Sequence, residues 1–464
     1  MMRYLTALFL CLAILQGKAQ YKVLLNFNGT NGSTPRGSLI VAGNKLYGMT
    51  DSGGANSYGC IFSIDTDGNG YKDMLDFNLK NGAYPHGSLL YYNNMLYGMA
   101  SLGGAYNMGC VFSIAMDGSS YTDLHDFGGS PNDGSTPKGA LINVGNRLYG
   151  TTRSGSYMSN SPTGVSFGIN PDGSRYKIIA NEGGSAYGSL TAVGGKLFLL
   201  AYLGIWTFDT SGNNPQNPRG LFFFQSMYPY NTGAFPTGSL TLFDNVLYGM
   251  TPDGGGGPGV GAIFSIDTNG YYYRVIYRFN AKDGEFPLGS LIFSWKVMYG
   301  MTMEDMTYNG GNIFSLNLSD SVYTNLHEFG SVQGEGDMPF GDVTLSGNTL
   351  YGMTSVSGIY NKGVVFSYKS IGLGVDNMSS TGSAIKVYPN PSNGVFTLQS
   401  SVVSRQLIVE VYNILGEKVY SDSYQPIANG YQLSLSSQPN GIYLYRIISE
   451  NGNLVGEGKL VIQR

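Results

Sequence analysis

Apolar residues in this chain come in short runs cut apart by Gly, Asn, Asp and Pro. The first stretch holds four of them, Tyr21 to Phe27, Ser38 to Val41, Leu46 to Thr50 and Cys60 to Ile64, each bounded by turn formers. Runs this brief predict β-strands rather than helices. The quartet then repeats. Leu46-Tyr47-Gly48-Met49-Thr50 returns, unchanged or varied, at Leu96, Leu148, Leu197, Leu247, Met298 and Leu350, at intervals of 50, 52, 49, 50, 51 and 52 residues. Tyr-x-x-Leu-x-x-Phe returns at Tyr71, Tyr121, Tyr273 and Tyr323, with Met74 or Ile276 at times in the Leu place, and Ile-Phe-Ser or a close variant at Val111, Ile263, Ile313 and Val365. A period near fifty residues marks units that cannot bury their apolar surface alone and must stack. Seven units of four strands predict an all-β, seven-bladed β-propeller over residues 21–369.

The phase of the repeat predicts how the ring closes. The chain enters on the Tyr21 strand, and the seventh unit stops after Val365-Phe366-Ser367 without a following copy of it. The first strand is therefore expected to complete the last blade and remove an exposed sheet edge. Strict polar and apolar alternation is missing from Leu-Tyr-Gly-Met-Thr, as expected where neighbouring blades cover both faces of a strand. The Gly permits close approach.

Composition agrees with an extracellular all-β protein. Of 464 residues only 12% are charged, while Gly reaches 69 and Tyr 36, which suits short strands joined by tight turns. A net charge of −4 gives no pull toward nucleic acid. Residues 1–19 read as a secretory signal peptide, with Arg3, an apolar core from Leu5 to Leu15 and Gly17-Lys18-Ala19 at the cleavage site. That core is too short to span a bilayer, and the mature chain is expected to have no transmembrane segment. Cys60 and Cys110 hold the same place in consecutive repeats, about 10 Å apart if the sheets stack, and are expected to stay unpaired in the core.

Pro35 to Gly54 runs Pro-x-Gly-Ser-Leu, a Gly-Asn-Lys turn, Leu-Tyr and a Gly-Gly loop. That order resembles kelch-like repeats and, more closely, the GloVer tandem-repeat family, whose members carry varied anchoring modules and share no common reaction. Blade four departs from it, with Leu197-Phe198-Leu199-Leu200 lacking the Tyr-Gly pair and Gly204-Ile205-Trp206-Thr207 in the fourth piece. Drift and a specialised ligand edge are the two readings of that departure.

If the Ser-Leu strand is innermost, the long connections, such as 28–36 and 51–58, gather on one face. Tyr58, Tyr84, Tyr106, Tyr157, Tyr230, Phe235, Tyr308 and Tyr360 recur in them. They suit either a platform for sugars or peptides or the packing of loop on loop. At the axis the aligned residues are Ser38, Ser88, Ala140, Ser189, Ser239, Ser290 and Asp342. Small side chains are needed where seven strands converge, and Asp342 is the one carboxylate, facing either water or a cation or polar ligand group.

Catalytic templates find little support. His86, His125 and His327 have no metal-ligand spacing, Gly254 to Gly259 leads into a strand instead of a helix, and no Gly-x-Ser-x-Gly elbow occurs. No cofactor is expected. Asp65-Thr66-Asp67-Gly68-Asn69-Gly70 with Asp76 in the twelfth place fits a calcium loop, although aligned turns elsewhere read as hairpins. Asp283, Glu285, Glu304, Asp305, Glu335 and Asp337 collect in the last long loops, as solvated charge or as an acid and base for glycoside chemistry.

After a linker at 370–384, residues 385–464 hold about seven β segments of a small β-sandwich. Val387-Tyr388-Pro389-Asn390-Pro391, Gly394-Val395-Phe396, Val411 to Gly416, Pro439-Asn440-Gly441-Ile442-Tyr443 and Lys459 to Ile462 resemble the type A sorting domain of the type IX secretion pathway. The resemblance implies an Ig-like sandwich, recognition by the outer-membrane translocon through residues such as Pro389, Asn390, Pro391, Gly394, Gly416, Gly441 and Lys459, removal by its sorting peptidase near the linker, and release or attachment at the cell surface. The expectation is a secreted or surface-displayed, non-catalytic propeller that binds glycan or another extracellular polymer. A polysaccharide-degrading hydrolase or lyase acting at the long-loop face is the alternative.

Overall fold

A strand with both faces covered has no need of a polar side, and the repeat supplies such a strand. In the computed structural model Lys45–Thr50 is buried from its second residue onward. The structure describes residues 20–130, 133–155, 164–181, 186–212, 218–224, 232–254, 260–294, 296–369, 385–400, 407–413, 418–425, 430–449 and 454–464. The chain divides into two compact units after residue 370. The expected signal peptide and linker lie outside the described residues.

The first strands are β1 (Gln20–Asn26), β2 (Ile40–Ala42), β3 (Lys45–Thr50), β4 (Cys60–Asp65) and β5 (Lys72–Asp76). β2 to β5 form an antiparallel four-stranded sheet in chain order. Leu39, Leu46, Phe62 and Ile64 pack against Tyr351, Met353 and Val365 of the last repeat. Tyr47, Met49 and Ile61 pack against Leu89, Leu96 and Phe112 of the second. Alternate residues thus serve opposite neighbours, and each fully buried aliphatic or aromatic side chain is worth about 1.5–3 kcal/mol. A Cβ on Gly48 would fall 2.7 Å from the Phe62 ring and 2.9 Å from Leu39, so the glycine makes the seat for that phenylalanine.

Six further sheets follow the same plan among the described residues. The last contains Thr344–Ser346, Thr349–Thr354 and Val364–Lys369, and β1 supplies its outer strand, with Gln20 opposite Lys369 and Asn26 opposite Val364. Tyr21 accordingly stacks on His327 at 4.1 Å, as Tyr176 stacks on His125 at 3.7 Å. The first strand therefore occupies the place its phase implies.

The hub closes on backbone. A Cβ added to Gly37, Gly87, Gly139, Gly188, Gly238, Gly289 or Gly341 would lie 2.0–2.5 Å from the carbonyl oxygen of the next glycine in the series, and the neighbour of Gly341 is Gly37. Only glycine permits that approach. One residue on, the Ser38 N–H donates to Ser88 Oγ at 2.7 Å. Ala140, Ser189 and Ser239 donate to Ser189, Ser239 and Ser290 Oγ at 2.8 Å. Ser290 N–H donates to the Asp342 carboxylate, and Asp342 N–H returns to Ser38 Oγ at 2.8 Å. The Ser88 to Ala140 step lacks this bond because Ala140 has no oxygen to offer. The hub hydroxyls thus tie sheet to sheet as well as lining the axis.

Blade four is a regular sheet in which Lys196–Ala201 turns directly into Gly204–Asp209 through Tyr202 and Leu203. Leu199 stands where Gly48 stands in the first repeat. The side chain opposite it, Trp206, is only partly buried and meets Phe223 edge-on at 5.3 Å. The filled glycine seat explains the displaced aromatic ring. Cys60 and Cys110 are both buried and free, as expected.

In the second unit Ile385–Tyr388, Val395–Ser400 and Tyr431–Ser434 form one sheet. Lys418–Tyr424, Leu407–Asn413, Gly441–Ser449 and Leu454–Ile462 form another. Phe396, Leu398 and Leu433 of the first share one core with Val409, Val411, Tyr445, Ile447 and Leu460 of the second, which makes a two-layer sandwich. Asn390 fixes its turn to the closing strand, donating to Lys459 O at 2.6 Å and accepting from Val461 N at 2.9 Å. Gly394 takes φ +109°, where a side chain would be strained, and Gly441 opens the strand that pairs with Leu454–Ile462. Gly416 lies outside the described residues.

Candidate binding face

The connections between β1 and β2 and between β3 and β4 leave the same end of the sheet and are sewn together. Ser33 and Ser52 exchange backbone hydrogen bonds at 2.7 and 3.1 Å, and Gly54 donates to Gly29 O at 2.9 Å. Asp76 accepts from Ala55 N at 2.8 Å, and in the next repeat Asp126 accepts from Ala105 N at 2.9 Å. This corrects the calcium reading. Asp76 sits at the long-loop end of β5 and the Asp65–Gly70 turn at the other end, so the twelfth position is carried away from the loop. Asp65 is paired with Lys45 at 2.6 Å, and Asp67 accepts from Asn69.

The loop aromatics divide into two kinds. Tyr58 is half-buried and meets Tyr84 edge-on at 5.7 Å, packing one loop on the next. Tyr106, Tyr308 and Tyr360 are 54%, 49% and 54% exposed on equivalent loops. Phe235 stacks on Tyr202 at 4.5 Å beside the shortened turn of blade four. Tyr157 and Tyr230 lie outside the described residues.

The acidic residues of the last loops are mostly engaged within their own loops, although Glu335, raised first by burial, also feels the nearby Asp337 carboxylate. Asp305 is buried and accepts from the backbone N–H of Thr307, Tyr308 and Gly311 at 2.7–2.8 Å, which shapes its own loop. Asp283 accepts from Tyr277 and Asn280. Glu285 and Glu304 face each other only through backbone hydrogen bonds. Glu335 accepts from Ser331 and Val332, with His327 Nε2 at 3.6 Å, and Asp337 accepts from Ser357. No group of three or more His, Cys, Asp or Glu among the described residues is arranged to hold a metal ion.

The axis opens on this face into a cavity of about 340 Å³. Its floor is the Ser38, Ser88, Ala140, Ser189, Ser239, Ser290 and Asp342 ring. Its rim is the residue before each hub glycine: Arg36, His86 and Lys138 on one arc, then Tyr187, Thr237, Leu288 and Phe340 on the other. The Arg36 guanidinium lies over Phe340 at 4.6 Å, and Arg153 lies over Tyr187 at 4.9 Å. Asp51 answers Arg36 at 3.9 Å. Burial, and then Lys138, Arg36 and Arg153, push His86 down to about 3, so its imidazole is neutral at ordinary pH. Burial also raises Asp342, against the lowering effect of its hydrogen bonds with Ser290 and Ser38. The floor is legible in the sequence and the rim is not, because the rim residue differs in all seven repeats.

Comparison with known proteins bears on fold and destination. The family model described as the Gloeobacter/Verrucomicrobia repeat matches residues 13–155 and 204–394. The interval it skips includes the Tyr-Gly-deficient strand of blade four. The model described as the secretion system C-terminal sorting domain matches residues 386–463. No curated protein matches the chain. Among solved structures, the chain is similar to BamB from Moraxella catarrhalis at 12% identity and TM-score 0.44, over 72% of this chain and 85% of that one. It is similar to an oligogalacturonate lyase from Vibrio parahaemolyticus at 8% identity and TM-score 0.47, over 76% and 97%. It is also similar to the extracellular domain of a putative hybrid two component system from B. thetaiotaomicron at 9% and 0.47, over 96% and 59%. Among the described residues no helix is long and apolar enough to cross a membrane.

Proposed function

The chain belongs to the Gloeobacter/Verrucomicrobia repeat family and carries a type IX sorting domain that directs it to secretion or the cell surface, and from that premise we propose a non-catalytic propeller that binds glycan or another extracellular polymer. The observation that carries this reading is the recurrence of half-exposed tyrosines, Tyr106, Tyr308 and Tyr360, at equivalent points of sewn loops on one face. A tyrosine presents a rigid apolar face and a polar tip at small entropic cost, which suits the C–H face and hydroxyls of a sugar ring. Long loops on a fixed scaffold are where recognition concentrates.

Hydrolysis would need a carboxylic acid and a carboxylate about 5–10 Å apart across a cleft. Asp283, Asp305 and Glu335 are engaged in holding their own loops, which supports binding over cleavage.

The test is glycan-array screening of the secreted protein and of a variant with Tyr106, Tyr308 and Tyr360 changed to Ala. At about 1 kcal/mol per aromatic contact, the triple variant loses roughly a hundred-fold in affinity. Failure of the unaltered protein to bind any saccharide, together with adhesion to peptide-coated surfaces, refutes the glycan reading.

A further inference from the structure

We propose that the axial cavity on the long-loop face is a binding site for the carboxylate-bearing ring of a sugar acid, with the cationic arc of Arg36, Lys138 and Arg153 taking the carboxylate and the aromatic arc of Tyr187 and Phe340 taking the ring. The proposal deepens the glycan reading, on which it rests for the sugar but not for the charge.

Three features carry it. The first is unspent donors. Lys138 makes no hydrogen bond or ion pair among the described residues, although it is half-buried. Half-buried Arg36 has one long contact with Asp51, at 3.9 Å, besides the Phe340 ring, and exposed Arg153, which lies over the Tyr187 ring, adds charge at the edge of the arc. Buried or half-buried cations without partners are costly, and an anion relieves the cost. Burial, Arg36 and Arg153 depress Lys138, while Asp51 alone supports its charge, so the lysine has more positive than negative neighbours.

The second feature is charge balance. Around Lys138 the neighbouring charges are Asp51 on one side and Arg36 and Arg153 on the other, with His86 neutral, so positive groups outnumber negative ones at the rim, while the Asp342 carboxyl lies in the floor, raised by burial. An anionic group on the ligand matches that excess. Arginine's planar fork also suits a carboxylate in bidentate geometry.

The third is size and floor. At about 340 Å³ the cavity lies at the small end of ligand sites, which run from about 300 to 1,000 Å³, and so takes one ring of a chain or a free monosaccharide. Below it, each serine Oγ already accepts a backbone hydrogen bond from its neighbour; the Ser38 and Ser290 hydroxyls are drawn to Asp342, and those of Ser88, Ser189 and Ser239 keep their O–H to donate. Ser88 N–H, opposite Ala140, has no protein acceptor in the ring. Sugar hydroxyl oxygens meet donors there.

The test is calorimetric titration of the secreted protein with galacturonate, glucose, inorganic phosphate and an oligogalacturonate. The comparisons are Lys138→Met, Arg36→Gln and the Tyr106, Tyr308 and Tyr360 triple alanine variant, with unaltered thermal unfolding as the folding control. Galacturonate binding that weakens at least ten-fold in Lys138→Met or Arg36→Gln, and persists in the triple variant, supports the proposal. Tighter binding of the oligomer than of the monomer assigns the ligand to a chain end, and equal binding assigns it to a free sugar acid. Glucose binding as well as galacturonate, or phosphate binding more tightly, overturns recognition of a single carboxylate and leaves the loop tyrosines as the glycan site. If galacturonate does not bind while the array scores neutral glycans, the axial site fails and the broader reading stands. Silence in both assays sinks both.

Discussion

Replacing Ala140 with Ser should complete the hub. Six of the seven backbone N–H groups at this level donate to an oxygen of the next sheet, and the serine acceptors stand at 2.7–2.8 Å. The seventh, on Ser88, is left without one. Local geometry there matches the rest, since a Cβ on Gly87 would lie 2.1 Å from Gly139 O, within the range of the other hub glycines. A serine side chain at 140 therefore has its oxygen where Ser189 and Ser239 have theirs. One added hydrogen bond is worth about 0.5–1.5 kcal/mol net. That slows local opening at Ser88 by about two- to twelve-fold and raises the propeller's Tm by roughly 1–2 °C for a unit of this size. Amide exchange read residue by residue is the assay: in the natural protein the Ser88 amide exchanges faster than those of Ser38, Ser189 and Ser239, and in Ala140→Ser it joins them. Unchanged exchange at Ser88, or a lowered Tm, would show that the serine ring does not bind sheet to sheet, and the reasoning about the hub falls with it.

Gly87→Ala should destabilise the propeller by about 1–3 kcal/mol or more, because its Cβ meets the Gly139 carbonyl at 2.1 Å and backbone on both sides must yield; a thermal scan that leaves Tm unmoved contradicts this. In the sandwich, burial alone would raise Glu410, but Lys418 Nζ at 2.7 Å, Arg446 and Tyr412 overcome it and hold the carboxyl at about 2, below its ordinary value of 4.5. A depressed carboxylate stabilises the folded state above its unfolded pKa and ceases to do so as pH falls through the folded one, so amide protection in Leu407–Asn413 should decline from about pH 4.5 to pH 2. Glu410→Gln should lack that decline, and an identical pH profile in both proteins would remove the network's role.

Much of the scaffold was legible because repetition amplifies weak signals. One Leu-Tyr-Gly run is uninformative, but seven at even spacing set the strand order, and the missing final Tyr-x-x-Leu-x-x-Phe strand pointed to β1. The rim of the axial cavity was not legible. Arg36, His86 and Lys138 stand about fifty residues apart at a position that also holds Tyr187, Thr237, Leu288 and Phe340, so no period betrays them, and they meet only when the sheets converge. Local clustering misled in the other direction. Asp65 and Asp76 are near in sequence, yet an extended strand sets them at opposite ends of a sheet. Asp305 and Glu304 are adjacent, yet one is buried against its own loop while the other faces Glu285 through backbone.

Gln20 pairs with Lys369, so β1 waits for almost the whole repeat array before it finds its partner. The cost of closing so long a loop grows only slowly with length, yet it falls due before the contacts that repay it. The final sheet acts as a latch that only a finished array can fasten, and a chain interrupted ahead of Val364 keeps an unpaired strand at its front. For a protein bound for export, that latch makes circular closure a late event, and any factor that holds β1 would keep the whole ring open.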